Sequence, residues 1–329
     1  MSSARRPVTA KTCLPNGLGP QYNRKMDRDI IGYGAHPPNP HWPNPGGSGP
    51  ARLAVNFVLN FEEGSEPSIG DGDPASEWGL TEYGGTSPGV IGRDLAAEGM
   101  FAYGSRVGFW RILRLFAARD LPMTVFGCAL ALERNPPAAA AIKAAGHDLC
   151  CHGWRWEKHF ELSEDVERER IARAIASLQH TMGERPLGWY CRSGPGVNTR
   201  RLLVEEGGFL YDSDDYSDDL PFFVEVSGRK HLVLPYSFDT NDMHYHQGFH
   251  RFVTARDFTE YTSDAFDTLW AEGERSPKMM SIGLHLRMIG RPGRMKALET
   301  ILQHLVDSNA EWIATREQIA QHWIAEAPA

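Results

Sequence analysis

Leu53-Ala54-Val55-Asn56-Phe57-Val58-Leu59-Asn60-Phe61-Glu62-Glu63-Gly64 decides how the rest of the chain is read. The apolar run at its start has the character of a strand buried on both faces, as in a parallel sheet. Gly64 permits the sharp turn that ends it. Glu62 and Glu63 then lie side by side at the C-terminal end of the strand, where α/β barrels carry their catalytic groups. Like charges this close resist simultaneous ionisation, so one of the two carboxylates can be pushed towards a base pKa near neutrality. The alternative reading of a bare Glu-Glu pair is a solvated acidic turn.

Downstream, strand and helix signals alternate. Ser105 caps an expected helix through about Arg119, with Val107, Trp110, Leu113 and Phe116 on one face. Further strands are expected at Thr124–Cys128, Asp148–His152, Leu187–Arg192, Phe209–Asp212, His231–Tyr236, Met279–Leu286 and Trp312–Ala314. Helices are expected at Pro136–Ala145, 163–182, Thr199–Glu206, Ala255–Ala271, Arg294–Asp307 and Arg316–Ala325. Repeated strand–helix units without a dinucleotide fingerprint favour a barrel over a doubly wound sheet. Residues 64–99 are Gly-rich and irregular, a loop of the kind that covers a site. Upstream, residues 1–50 are rich in Pro, Gly, Asn and Arg and lack a hydrophobic period. They read as an extended N-terminal arm on a single barrel spanning 51–329, laid on the barrel itself or on a neighbouring subunit.

The 329 residues and a 41% hydrophobic content suffice for one large core. A net charge of -8 with no basic block leaves no electrostatic footprint for a nucleic-acid partner. Apolar stretches are too short to span a membrane, and the N-terminus lacks a secretory pattern, so a cytoplasmic protein is expected. Five cysteines, Cys13, Cys128, Cys150, Cys151 and Cys191, show no disulfide framework and read as reduced thiols, mostly in the core.

Ionisable and aromatic residues gather at the expected strand ends: Glu62 and Glu63; His152, Trp154, Trp156 and His159; Trp189 and Arg192; Asp212, Asp214 and Asp215; and His285. Each has a structural alternative, since a lone His in an apolar strand is commonly a hydrogen-bonded core residue. Their order resembles the polysaccharide deacetylase family, carbohydrate esterase family 4. Asn60-Phe61-Glu62-Glu63-Gly64 matches the family's first motif, His152-Gly153-Trp154-Arg155-Trp156 its second, Arg192–Pro195 its Arg/Pro motif, Asp212-Ser213-Asp214 its Asp motif, and Ile282-Gly283-Leu284-His285 its last. The resemblance implies a distorted (β/α) barrel. Ile31-Gly32-Tyr33-Gly34-Ala35-His36-Pro37-Pro38, Gly188-Trp189-Tyr190, Gly207–Asp214 and Gly290-Arg291-Pro292-Gly293-Arg294 bring the chain closest to the allantoinase and cyclic-imide hydrolase branch. That branch implies a homo-oligomer, a tetramer, acting on a small-molecule substrate.

The parent family holds a divalent metal through one Asp and two His. Here Glu63 replaces the Asp and Trp156 stands at the second His position, and an indole cannot ligate. Glu63 and His152 alone make too few ligands. No metal or other cofactor is therefore expected; were one present, Glu63, His152 and His159 are the candidates. His244, His246 and His250 form a second histidine set, read equally as a polar loop at the barrel rim. Relative to the allantoinase branch, Ala102 stands where an acidic residue is expected, and the Arg192–Asn198 loop is longer.

The expected activity is hydrolysis of a C–N bond in a small cyclic amide, allantoin or a cyclic imide. Glu62 or Glu63 serves as general base and His285 as the acid or oxyanion partner. His152, Trp154, Trp156, Trp189, Arg192 and Asp214 are the expected substrate-binding residues. The competing readings are a metal-dependent deacetylase of an N-acetyl sugar and a non-catalytic binding barrel.

Overall fold

The computed structural model describes residues 29–83, 86–246, 252–308 and 312–326. The chain divides into two units, 1–37 and 38–329. Within the first, Asp29 Oδ1 accepts from the Ile31 and Gly32 amides in a tight Asx turn. Residues 38–50, read from sequence as arm, belong to the second unit. There Trp42 is fully buried, its indole N–H donates to the Lys278 carbonyl, and its ring packs on Trp312 and Trp323.

The second unit is a curled parallel sheet with helices outside. Strand β1, Leu53–Phe61, is buried at every position, as its apolar run dictates. It pairs in parallel with β2 (Thr124–Gly127), β8 (Lys278–His285) and β9 (Trp312–Ile313). From β2 the sheet continues in parallel through β3 (Asp148–Cys151), β4 (Gly188–Trp189), β5 (Tyr211–Asp212) and β7 (Arg229–Val233). The register sets Asn60 opposite His285, Phe61 opposite Gly127, and Cys151 opposite Trp189. Residues just past β1, β3 and β4 therefore emerge at one end of the sheet, together with His285.

Strand β6, Phe222–Val226, is antiparallel to β7 and went unread in the sequence. The whole ladder runs β6-β7-β5-β4-β3-β2-β1-β8. Among the described residues the one β-bridge joining β8 to the chain after β7 is Asn241 to Gly283; the Gly283 amide donates to the Thr240 carbonyl and the Thr240 hydroxyl to the Ser281 carbonyl. Gly283 is obligatory here: a Cβ would collide with Asn241 Nδ2 and the Tyr236 hydroxyl. The sequence-based expectation of a distorted barrel thus holds, as a half-barrel stitched at its seam.

Around the sheet run α3 (Ala129–Glu133), α4 (Pro136–Ala144), α5 (Glu164–Met182), α6 (Thr199–Glu206), α7 (Ala255–Glu272), α8 (Pro292–Asp307) and α9 (Arg316–Glu326). The helix expected from Ser105 begins earlier. Asp94 caps α1 (Leu95–Tyr103), which runs through a π turn, Gly104–Gly108, into α2 (Phe109–Ala117). The first residue of α9, Arg316, is fully buried inside the sheet and donates to Ser213 Oγ, Ser281 Oγ and the Leu234 and Pro235 carbonyls. Among the described residues no helix is long and apolar enough to cross a membrane.

Candidate active site

The turn after β1 is held by Ser65, whose amide and hydroxyl both donate to the Glu62 carbonyl. This fixes two fully buried carboxylates pointing in different directions. Glu62 Oε1 faces two imidazoles, with His152 Nε2 at 3.4 Å and His285 Nε2 at 3.7 Å. Glu62 Oε2 accepts from Arg287 at 2.8 Å. Burial alone would raise the Glu62 carboxyl, but Arg287, His285 and His152 outweigh it and hold it well below the usual carboxylate range.

Each histidine is oriented from behind. His152 follows β3, stacks on Tyr190 and donates from Nδ1 to the Tyr190 carbonyl at 3.0 Å. In the neutral form its Nε2 therefore carries a lone pair. His285 closes β8, and its Nδ1 lies 2.6 Å from Asp242 Oδ1. Asp242 is itself locked, since its Oδ2 accepts from the His285 and Ile289 amides. Burial opposes charge on His285, yet Asp242 and Glu62 together raise its pKa and favour the imidazolium. A carboxylate oxygen and two Nε2 atoms thus share one small space, which demands a proton or a donor such as water between them.

Glu63 faces the other way. Its Oε1 accepts from Arg287 NH1 at 3.0 Å and from the Arg287 amide at 3.2 Å, and its Oε2 takes the Glu62 amide. Burial raises the Glu63 pKa, with Arg287 opposing and Glu62 adding to the rise. Arg287 is fully buried, rests on the Phe101 and Trp156 rings, and donates from Nε to the Leu80 carbonyl. Neither Arg287 nor Asp242 was assigned a role from sequence. Arg287 follows an apolar strand with no motif around it, and Asp242 is visible there only as the flank of a histidine-rich stretch.

A pocket of about 180 Å³ opens over Glu62, lined by His152, Trp156, Arg192, Tyr236 and His285, with Leu80 also on its wall. Asn60 and Asn241 place side-chain amides at its edge, bonded to the Leu284 carbonyl and the Tyr236 hydroxyl. Trp156 is gripped between arginines, with Arg192 at 3.6 Å and Arg287 at 4.8 Å from its ring. Arg192 lines the pocket but already donates to the Trp156 carbonyl and pairs with Glu77.

The remaining sequence candidates lie elsewhere. Trp154 is buried under Arg173, and Trp189 packs among His159 and Phe209 with its N–H on Cys191 Sγ. Asp214 does not line the pocket and accepts the Cys191 amide; burial and neighbouring Asp212 push it up to about 7. His159 Nδ1 binds Glu167, and its Nε2 looks at Gly153 rather than at Glu63. His244 Nε2 bonds the Phe238 carbonyl, and His246 lies near Glu82. His250 and Cys13 lie outside the described residues. The four described cysteines are buried free thiols whose pKa burial raises.

These contacts do not fit the metal site of the deacetylase pattern. Both oxygens of Glu63 are taken, by Arg287 and by the Glu62 amide. Trp156 presents a ring, and His159 faces away. Among the described residues no three His, Cys, Asp or Glu side chains are grouped to hold an ion.

The pattern described as Polysaccharide deacetylase matches residues 98–209. A Schizosaccharomyces pombe (strain 972) protein assigned to the polysaccharide deacetylases is 37% identical over 321 residues, covering 92% of this chain and 98% of that protein. The crystal structure of PuuE allantoinase is 48% identical, covers 93% of this chain and all of that one, and superposes with a TM-score of 0.87. A Pseudomonas aeruginosa PAO1 crystal structure, again of a protein assigned to the polysaccharide deacetylases, is 48% identical over 92% of this chain and 99% of that chain, with a TM-score of 0.86.

Proposed function

The chain belongs to the polysaccharide deacetylase family of hydrolases, and from that premise we propose that it opens a C–N bond in a small cyclic amide such as allantoin or a cyclic imide. The observation that carries this reading is the pocket. At about 180 Å³ it is smaller than the roughly 300–1,000 Å³ of drug-sized sites, and it is walled by Trp156, Tyr190 and Tyr236. That shape suits one flat ring. The likeness to PuuE allantoinase supports the same substrate class.

Chemically, a water between Glu62 Oε1 and His152 Nε2 would donate a hydrogen bond to each and turn a lone pair to the substrate. As its oxygen adds to the amide carbon, one proton passes to Glu62 or His152, leaving a tetrahedral oxyanion. The Asn60 and Asn241 amides and the His285 imidazolium are the donors at hand for that charge. Collapse breaks the C–N bond, and His285 Nε2 protonates the departing nitrogen. The immediate products are a carboxylic acid and a free N–H group, and the acid releases the water's second proton to solvent to become a carboxylate. The proton held at Glu62 returns to His285 across the pocket, restoring the starting state. Glu62, which lines the pocket, is the base in this scheme, and Glu63 supports it through Arg287.

The test is a substrate panel of allantoin, hydantoin, succinimide and N-acetylglucosamine oligomers, with and without chelator. We expect ring opening of a cyclic amide, unaffected by chelation. Acetate release from the sugars with every ring left intact would overturn the proposal, and activity restored only by an added metal would overturn its metal-free chemistry.

A further inference from the structure

Arg287 brings one guanidinium nitrogen to both carboxylates at once, 2.8 Å from Glu62 Oε2 and 3.0 Å from Glu63 Oε1. It does so in full burial between two aromatic rings, the second being Trp156. Two adjacent buried carboxylates need a positive charge, since desolvation and mutual repulsion would otherwise neutralise them. We propose that Arg287 is the built-in counter-cation of this site, keeping Glu62 positioned, and that it and a divalent metal ion at Glu63 exclude each other.

Three features point to this role. Glu63, the counterpart of the family's metal-binding carboxylate, gives Oε1 to Arg287 twice, through the side chain and the backbone amide. Trp156, in place of a ligating histidine, offers Arg287 a π face, which attracts a guanidinium and cannot bind a metal. Arg287 also donates from Nε to the carbonyl of Leu80, a residue at φ +51 on the pocket wall. A non-glycine residue in that region is uncommon and is sustained by its surroundings. The same cation thus fixes the carboxylate pair and pins one wall of the pocket.

The inference does not depend on which amide is the substrate, and its test needs none. Zinc binding is measured by calorimetry on the full chain and on Trp156→His, Arg287→Met and the double variant. With the histidine restored but Arg287 present, zinc affinity stays at the wild-type level. In the double variant a single zinc binds about a hundredfold or more tightly, the scale of removing one unit charge at contact distance in a protein. Equal zinc affinity of Trp156→His and the double variant overturns the exclusion, as does a folded double variant that binds no zinc.

A second pair covers poor folding of the double variant. Trp156→His is combined with Arg287→Gln, which keeps a donor without the charge, and with Arg287→Lys, which keeps the charge. Zinc binds tightly in the first and stays at the wild-type level in the second. Equal zinc affinity in the two rejects the Arg287 charge as what keeps the metal out.

Discussion

At the scale of single residues, the site separates charge by distributing partners. Glu62 faces the pocket with its carboxyl held low by Arg287, His285 and His152, whereas Glu63 is turned away and raised by burial. If Glu62 takes the water's proton, Glu62→Gln lowers kcat by at least about a hundredfold, the usual scale for a positioned base, with the fold retained. A near-normal kcat in that variant, with circular dichroism unchanged, removes Glu62 from the chemistry. The acid side gives a signed pH prediction. Asp242 helps raise the His285 pKa, so the imidazolium survives to higher pH. If that imidazolium protonates the departing nitrogen, activity falls as pH rises through the raised pKa. Removing the charge in Asp242→Asn moves this alkaline limb towards lower pH, and a limb that stays put means another group supplies the proton. The Glu-Glu pair, His152 and His285 were legible in sequence because each ends a strand whose apolar pattern is unmistakable. Asp242 and Arg287 were not. Their roles arise from contacts between Asp242 and His285, and between Arg287 and Glu62, which are 43 and 225 positions apart. No local pattern announces such contacts.

At the scale of elements, the decisive device is the π turn Gly104–Gly108 between α1 and α2. A π turn is costly and tends to mark functional sites. Here two of its glycines allow close approach. A Cβ on Gly104 would strike the Glu63 carboxylate, and one on Gly108 would strike the Leu286 carbonyl, just ahead of Arg287. The two substitutions should therefore separate. Gly108→Ala meets backbone, which cannot step aside, and should destabilise by the upper end of about 1–3 kcal/mol or more. Gly104→Ala meets a side chain, so its effect should fall mainly on kcat by disturbing Glu63 and Arg287. Urea unfolding and turnover measured on both variants check this, and equal stability losses would contradict it. Sequence reading caught α2 but not α1, because Gly99 interrupts α1 and a Gly-rich stretch precedes it. It missed β6 because that edge strand is half-exposed and lacks a buried apolar run. The parallel strands at the barrel's centre were legible because burial on both faces leaves them continuously apolar.

At the scale of the whole molecule, assembly and acid stability can be tested together. The tetramer implied by the family resemblance is expected to be seen by light scattering at micromolar concentration, and a monomer there counts against it. The informative truncation removes residues 1–37 rather than the whole of 1–50, because Trp42 is core to the barrel unit and its loss would uncover Trp312 and Trp323. If the arm serves assembly, that truncation weakens association before it affects turnover. An oligomer's unfolding depends on protein concentration, so pH series must be compared at one concentration. On that footing, two carboxyls contribute to stability across the neutral range, with His147 and His246, whose pKa burial lowers, acting in the opposite sense. Burial pushes Asp148 up to about 6, with Glu317 adding to it, and burial with Asp212 pushes Asp214 up to about 7. Unfolded, both release their protons near the ordinary value of 3.8. Between that value and the raised ones the folded chain holds more protons, so these groups lower stability as pH rises. Glu62 and Asp212 are shifted downward, and their contribution is lost only in more acid solution. Through these two groups wild type should therefore lose stability towards urea between pH 5 and pH 8. Asp148→Asn combined with Asp214→Asn should flatten that decline, since an amide oxygen can still accept from Thr124 and the Glu317 amide at one position and from the Cys191 amide at the other. Parallel stability curves for wild type and the double variant from pH 5 to 8 would show that these two carboxyls do not titrate as their burial requires.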